Sequence, residues 1–302
     1  MKVLVTGTSG QLGYDVAMEL LKRGHEPIGA DRHEGNGDFR HIILDITDAE
    51  KVKGVVREIQ PDAIVHCAAW TNVDAAEAPE NREVVRAVNV DGTANLARAA
   101  KEVDAKFVYI STDYVFSGEG EEPWKPDDKN YAPINVYGQS KLDGELEVAK
   151  ICDKYFIVRI AWVFGQNGKN FVKTMIEVGK NHDKVRVVDD QIGTPTYCPD
   201  LARLIVDMIE TDKYGYYHAT NAGGYISWAD FTEEIYRQAG MDVKVERVTT
   251  EEYGESVARR PRNSRLDKSK LVENGFTPLP EWKDALKRYL ESSSDKKSSK
   301  ET

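Results

Sequence analysis

The chain opens with an apolar, β-branched run that passes through TGTSGQLG into a helical pattern. VLVTG (3–7) has strand character, and QLGYDVAMELLKRG (11–24) carries apolar residues at helical spacing and stops at Gly24. Gly7, Gly10 and Gly13 are spaced G-x-x-G-x-x-G across the junction. A strand that turns sharply into a helix, with no Cβ atoms in the way, lets a pyrophosphate approach the helix N-terminus. There, unpaired N–H groups and the helix dipole favour negative charge. Gly7, Gly10, Gln11, Leu12 and Gly13 are therefore candidate cofactor contacts; incidental turn glycines are the other reading.

The alternation continues. Strand signals at 26–31, 41–45, 62–70, 106–112 and 155–164 are separated by helical stretches at 48–60, 79–103 and 135–150. DAIVHCAAW (62–70) is apolar almost throughout, as expected of a strand buried on both faces. The pattern predicts an α/β fold: a Rossmann-type doubly wound parallel sheet with right-handed crossovers. Beyond residue 165 helical patterns dominate (170–181, 199–211, 227–240, 281–291), with short strand candidates at 184–188 and 215–219. The expected organisation is a dinucleotide-binding domain over 1–160, with return segments within 184–220. A smaller, mainly helical C-terminal substrate lobe would take 161–183 and 221–290. Residues 291–302 have almost no apolar side chains and are expected to form a disordered tail.

Within the helix at 135–150, Tyr137 stands four residues ahead of Lys141, so the two share a helix face. A Tyr hydroxyl held within reach of a carbonyl oxygen can protonate it. Its ordinary pKa is about 10, so passage through the phenolate needs a nearby positive charge, which Lys141 and an oxidised nicotinamide would supply. Lys141 can also hold the nicotinamide ribose. Thr112 ends the fifth strand, where ligands of open parallel sheets sit, and can orient the same carbonyl. Asp31 ends the second strand, where a carboxylate can bond the adenosine ribose hydroxyls of NADH. Arg32 follows and can instead meet the 2′-phosphate of NADPH, so both cofactors stay open.

The glycine spacing resembles that of the extended short-chain dehydrogenase/reductases. STDYVFSG, PINVYGQSKLDGE, RIAWVFG, NFVKTM, DDQIGTPT, HATNAGG and RPRNSRL, in this order, look like the dTDP-4-dehydrorhamnose reductase family over roughly residues 1 to 290. The resemblance implies NAD(P)H-dependent reduction of C4 of dTDP-4-dehydro-6-deoxy-L-mannose to dTDP-L-rhamnose. Thr112, Tyr137 and Lys141 would be catalytic. It further implies cofactor contacts at Asp45, Ile46, Ala68, Ala69, Trp70 and Ser111, and a sugar pocket at Val73, Thr112, Tyr114 and Trp162. Arg260 and Arg265 would meet the diphosphate through paired N–H donors, or else form structural salt bridges. Asp15, Asp189 and Asp190 match positions where some relatives place a divalent metal between subunits. We read them as solvated carboxylates and expect no catalytic metal.

A net charge of −10 argues against a nucleic acid polymer as partner, though not against a small anionic nucleotide-sugar. No apolar run is long enough to span a membrane. Cys67, Cys152 and Cys198 form no metal or disulfide pattern, and a reducing, cytoplasmic location is expected. Monomer and homodimer are both compatible with the sequence. Rival readings are a reductase or epimerase of another nucleotide-sugar, and a non-catalytic NAD(P)-binding regulatory subunit.

Overall fold

Lys2–Thr6, the first strand (β1), sends Val3 and Val5 to one face of a sheet and Leu4 to the other, and all three are fully buried. The computed structural model describes residues 1–298 except positions 36 and 255. β2 (Glu26–Asp31), β3 (Arg40–Ile43), β4 (Ala63–His66), β5 (Lys106–Thr112) and β6 (Tyr155–Ile160) follow β1 in the chain. Between them run α1 (Gln11–Lys22), α2 (Ala49–Ile59), the short α3 (Val73–Glu77) and α4 (Arg82–Arg86), α5 (Thr93–Glu102) and α6 (Val136–Ile151). The C-terminal half adds β7 (Val163–Phe164), α7 (Phe171–Gly179), β8 (Lys184–Val188), β9 (Ile192–Gly193), β10 (Thr196–Tyr197), α8 (Cys198–Ile209) and β11 (Gly215–His218). Then come β12 (Ile226–Ser227), α9 (Trp228–Ala239), β13 (Lys244–Val248), α10 (Thr250–Tyr253), α11 (Ser269–Glu273) and α12 (Trp282–Ser298).

Seven parallel strands lie in the order β11-β6-β5-β4-β1-β2-β3. This is the doubly wound order with one added edge strand, and its direction reverses between β1 and β4, where such sheets open a crevice for ligands. Alternate residues of each strand feed two cores. One face packs Val3, Val65, Val108 and Val158 against α1 and α8. The other packs Leu4, Ile64, Phe107 and Ile157 against α2, α5 and α6. A third cluster, around Phe164, Phe231, Tyr197 and Trp282, holds the C-terminal lobe.

Several elements depart from the sequence reading, each for a local reason. β4 stops at His66, because the next backbone groups leave the ladder: Ala68 N donates to Thr6 Oγ1 (3.2 Å) and Trp70 N to Asn89 Oδ1 (2.8 Å). The run expected at 155–164 is broken at Trp162, whose φ of 51° no strand can hold. The long helix at 79–103 is interrupted by a wide π turn over Ala87–Gly92. The strand candidate at 184–188 pairs with Lys244–Val248, a strand the sequence did not suggest, and not with the central sheet. The tail expected over 291–302 is instead helical as far as Ser298. Gln166 donates to Tyr289 O (2.8 Å) and Ser292 Oγ (2.6 Å) and accepts from Ser293 Oγ (3.0 Å), which gives this polar stretch a docking point. Residues 299–302 of that tail lie outside the described residues.

Candidate active site

The site forms at the C-terminal ends of β1, β4 and β5. Gly7 has φ of 74°, and a Cβ there would lie 2.7 Å from Ala68 N; a Cβ on Gly13 would lie 2.3 Å from Gly7 O. Strand, turn and helix are thus as close as backbones allow. Gly10 caps α1 without a side-chain hydrogen bond, leaving the first N–H groups of the helix to face the crevice. The buried hydroxyls of Thr8 and Ser111 have no hydrogen-bond partner among the described residues. A bare turn, open helix N–H groups and two unspent hydroxyls fit a dinucleotide. Gln11 and Leu12 fit it only through their backbone. The Gln11 side chain bonds Lys169 O (3.2 Å) and Asn170 Nδ2 (3.1 Å), and Leu12 belongs to the core.

Asp31 lies beside the turn, accepting from Ser9 N (3.0 Å) and Arg32 N (2.8 Å), while Arg32 is exposed. Asp45 accepts from Thr47 N (2.9 Å) and Thr47 Oγ1 (2.8 Å), and these bonds hold its carboxyl below the usual range. The Ile46 side chain is buried in the core, so only its backbone can face a ligand. Ala68 lies opposite Gly7, Ala69 is the next residue and half-buried, and Trp70 donates from its indole to Asn72 O (2.9 Å).

The structure brings Thr112, Tyr137 and Lys141 together. Asn135 starts α6, accepting from Gly138 N (2.7 Å) and donating to Arg259 O (2.8 Å). A Cβ on Gly138 would lie 2.4 Å from Tyr114 O, so α6 lies directly against the segment after β5. Tyr137 meets Tyr114 edge to face, ring centroids 5.7 Å apart. Burial pushes the Tyr137 phenol well above its ordinary pKa, the Asp113 charge adds to this, and a hydrogen bond with Thr112 opposes it. Lys141 is 3% exposed, its Nζ lies 4.1 Å from the centre of the Tyr109 ring, and burial pulls its pKa down to about 7. In this state the phenol is a proton donor held ready, and the ammonium is easily discharged.

Four polar residues behind these groups were not singled out in the sequence. Asn89, in the π turn, accepts from Trp70 N and donates to Trp70 O (3.1 Å) and Ser140 Oγ (2.9 Å), tying the end of β4 to α6. His66 bonds Thr6 Oγ1 (2.8 Å) and Thr93 Oγ1 (3.0 Å), and burial holds it neutral, with a pKa of about 3. Asp113 accepts from Thr112 Oγ1 (2.9 Å), and burial raises its pKa to about 6. Glu145 follows Lys141 by one helical turn.

Of the residues expected to meet the sugar, Val73 begins α3, and Tyr114 lies against Tyr137. Trp162 stacks on Trp228 with centroids 3.7 Å apart. Arg260 is held by Asp74 in a bidentate salt bridge, and Arg265 Nη1 donates to Asn263 Oδ1 (3.1 Å). Arg260, with Arg259 and Arg262, lines a cavity of about 720 Å³ that also involves Ser117, Gly118 and Ile134. Asp189 and Asp190 are partly exposed carboxylates that are also engaged within the chain. Asp189 accepts from Ser227 Oγ (2.6 Å) and Arg247 (2.9 Å), and Asp190 accepts from Thr250 Oγ1 (2.6 Å). Among the described residues no helix is long and apolar enough to cross a membrane.

The model of the RmlD substrate binding domain family matches residues 1–294. A dTDP-4-dehydrorhamnose reductase of Escherichia coli K12 is 38% identical over 304 aligned residues, covering 96% of this chain and 97% of that protein. The spore coat polysaccharide biosynthesis protein SpsK of Bacillus subtilis is 36% identical, with 96% and 97% covered. The crystal structure of dTDP-4-dehydrorhamnose reductase from Bacillus anthracis in complex with NADP superimposes with a TM-score of 0.89 at 43% identity, covering 96% of this chain and 99% of that one.

Proposed function

This chain belongs to the dTDP-4-dehydrorhamnose reductase family, and from that premise we propose the reaction and the residues that carry it. The protein is an NAD(P)H-dependent oxidoreductase that reduces the C4 carbonyl of dTDP-4-dehydro-6-deoxy-L-mannose to dTDP-L-rhamnose. The observation that carries the reading is the buried meeting of Thr112, Tyr137 and Lys141 beside a glycine turn shaped for a dinucleotide.

Reduced nicotinamide, when bound, supplies the hydride to C4. Tyr137 gives its phenolic proton to the oxygen as it becomes an alkoxide. Its raised pKa keeps that proton in place until the oxygen becomes basic enough to take it. Thr112 hydrogen-bonds the same oxygen by turning its single O–H proton to it from Asp113, to which it donates in the free site. The Lys141 ammonium holds the ribose hydroxyls and lowers the energy of the phenolate left behind. Gly7, Gly10 and Gly13 admit the pyrophosphate; Asp31 and Arg32 meet the adenosine end of NADH or NADPH. Ser111, Ala68, Ala69 and Trp70 border the nicotinamide half, and Asp45 with the Ile46 backbone borders the adenine.

The sugar lies against Val73, Tyr114 and Trp162. Arg265 meets the diphosphate, while Arg260 holds the wall of the cleft through Asp74. The reading extends to a cytoplasmic enzyme, which three unpaired cysteines support, and to a homodimer, which light scattering would test.

The experiment is the loss of NADPH or NADH absorbance on adding dTDP-4-dehydro-6-deoxy-L-mannose, wild type beside Tyr137→Phe. Rapid oxidation by the wild type alone supports the reading. Bound cofactor that is oxidised by neither protein overturns it.

A further inference from the structure

We propose that the buried ion pair of Glu145 and Arg159 is an electrostatic device of the reductase site, which raises the charged fraction of the Lys141 amine from one helical turn away. The proposal rests on the role given to Lys141 above and deepens it.

Tyr137, Lys141 and Glu145 follow one another at four-residue steps and share one face of α6. Glu145 and Arg159 are both 0% exposed. Arg159, on β6, donates from Nε to Glu145 Oε1 (2.8 Å) and from Nη2 to Glu145 Oε2 (2.7 Å), so both carboxylate oxygens are engaged. The rest of the guanidinium is fixed as firmly. It donates to Pro126 O (3.1 Å) and Tyr131 Oη (3.2 Å) and lies between the rings of Phe116, Tyr131 and Tyr216. A carboxylate gripped through both oxygens has no freedom to move.

The other groups facing Lys141 offer little to hold a charge. Tyr109, from β5, presents its ring face and donates its hydroxyl to Lys141 O (3.2 Å). His66 at the end of β4 is neutral, and burial pushes the adjacent Cys67 thiol up to about 12, so it too carries no charge. Tyr137 keeps its proton, and Asp143 on the same helix is bonded to Gln139 (2.8 Å). His218 contacts Arg159, not Lys141, and is also held neutral. Glu145 is thus the carboxylate that offsets the desolvation of Lys141. An ion pair this deep is a weak source of net stability, since desolvation cancels much of the attraction. Its placement one turn beyond Lys141 gives it an electrostatic task.

The test reads the lysine directly. Lys141 is followed by ¹³C NMR of its ε-carbon against pH, with the signal assigned by its absence in Lys141→Met. Wild type is compared with Glu145→Gln and with Glu145→Gln/Arg159→Met, which removes both charges together and leaves neither buried alone. The expected result in both variants is a titration midpoint lower by about one pH unit. That is about a tenfold smaller charged fraction above the midpoint. The alkaline limb of kcat/KM should move the same way. The double variant keeps the test available where the single one does not fold. A double variant with the wild-type midpoint overturns the proposal and leaves the pair as a bolt between α6, β6 and the 126–131 loop. The activity of Lys141→Met separately judges the role of the lysine itself.

Discussion

The carboxylate of Asp74 grips the Arg260 guanidinium through two hydrogen bonds of 2.9 and 2.7 Å, and its Oδ1 also accepts from Ala258 N at 3.0 Å. α3 is thereby tied to the arginine-rich segment. The pair is partly exposed, with side chains 28% and 45% accessible, so its effect on stability is small, about 1 kcal/mol or less. Its effect on the cleft wall is larger. Arg260→Ala and Asp74→Asn should each raise KM for the nucleotide-sugar about tenfold, with kcat nearly unchanged. That corresponds to about 1.4 kcal/mol of binding. Steady-state kinetics beside a thermal melt of each variant would separate the two effects.

Tyr137→Phe removes one oxygen from a buried site. Cofactor binding should survive, and kcat should fall by about 10²–10⁴-fold, the range that positioned proton donors supply. Single-turnover oxidation of bound NADPH measures this without interference from product release. A variant within threefold of wild type would remove Tyr137 from the mechanism.

Asp113 gives a pH dependence whose sign is fixed. Burial raises its folded pKa from about 3.8 to about 6. A carboxyl raised in this way contributes stability that is fully present below the unfolded value and lost as pH rises through the folded one. Between about pH 4 and pH 6, wild type should therefore lose stability relative to Asp113→Asn, by about 3 kcal/mol over the whole window. Urea titrations of both proteins at stepped pH give the difference. A flat difference would place the Asp113 charge elsewhere in the balance.

Gly13→Ala tests the close approach at the glycine turn. The added Cβ would meet Gly7 O at 2.3 Å, a backbone atom that cannot swing aside. Overpacking of this kind costs about 1–3 kcal/mol. The displaced helix N-terminus should weaken NADPH binding more than it weakens the fold, which fluorescence titration and denaturant unfolding would reveal together.

The elements that follow a simple period were legible before the structure. β1, the turn and α1 announce themselves, because a buried parallel strand, an obligatory run of glycines and an amphipathic helix have different spacings. Tyr137 and Lys141 were legible for the same reason. Asn89 was not, because the π turn that aims it breaks the 3.6-residue period, and nothing in VRAVNVDGT marks the break. Glu145 and Arg159 were not singled out, because only the packing of their helix against their strand brings them together. Trp162 looked like a continuing strand, since neither its left-handed backbone nor its stacking on Trp228, from a helix far along the chain, follows from the local pattern. The continuation of the final helix past residue 291 was hidden because its docking partner, Gln166, lies more than a hundred residues upstream.

The seventh strand of the sheet has a consequence for modularity. After β6 the chain leaves the sheet, builds β7, α7 and β8, and only then returns through α8 to lay down β11 beside β6. It then departs again to finish the C-terminal lobe. The central sheet and the C-terminal lobe are therefore interleaved along the chain, and separating them would take two junctions, one on each side of the returning strand.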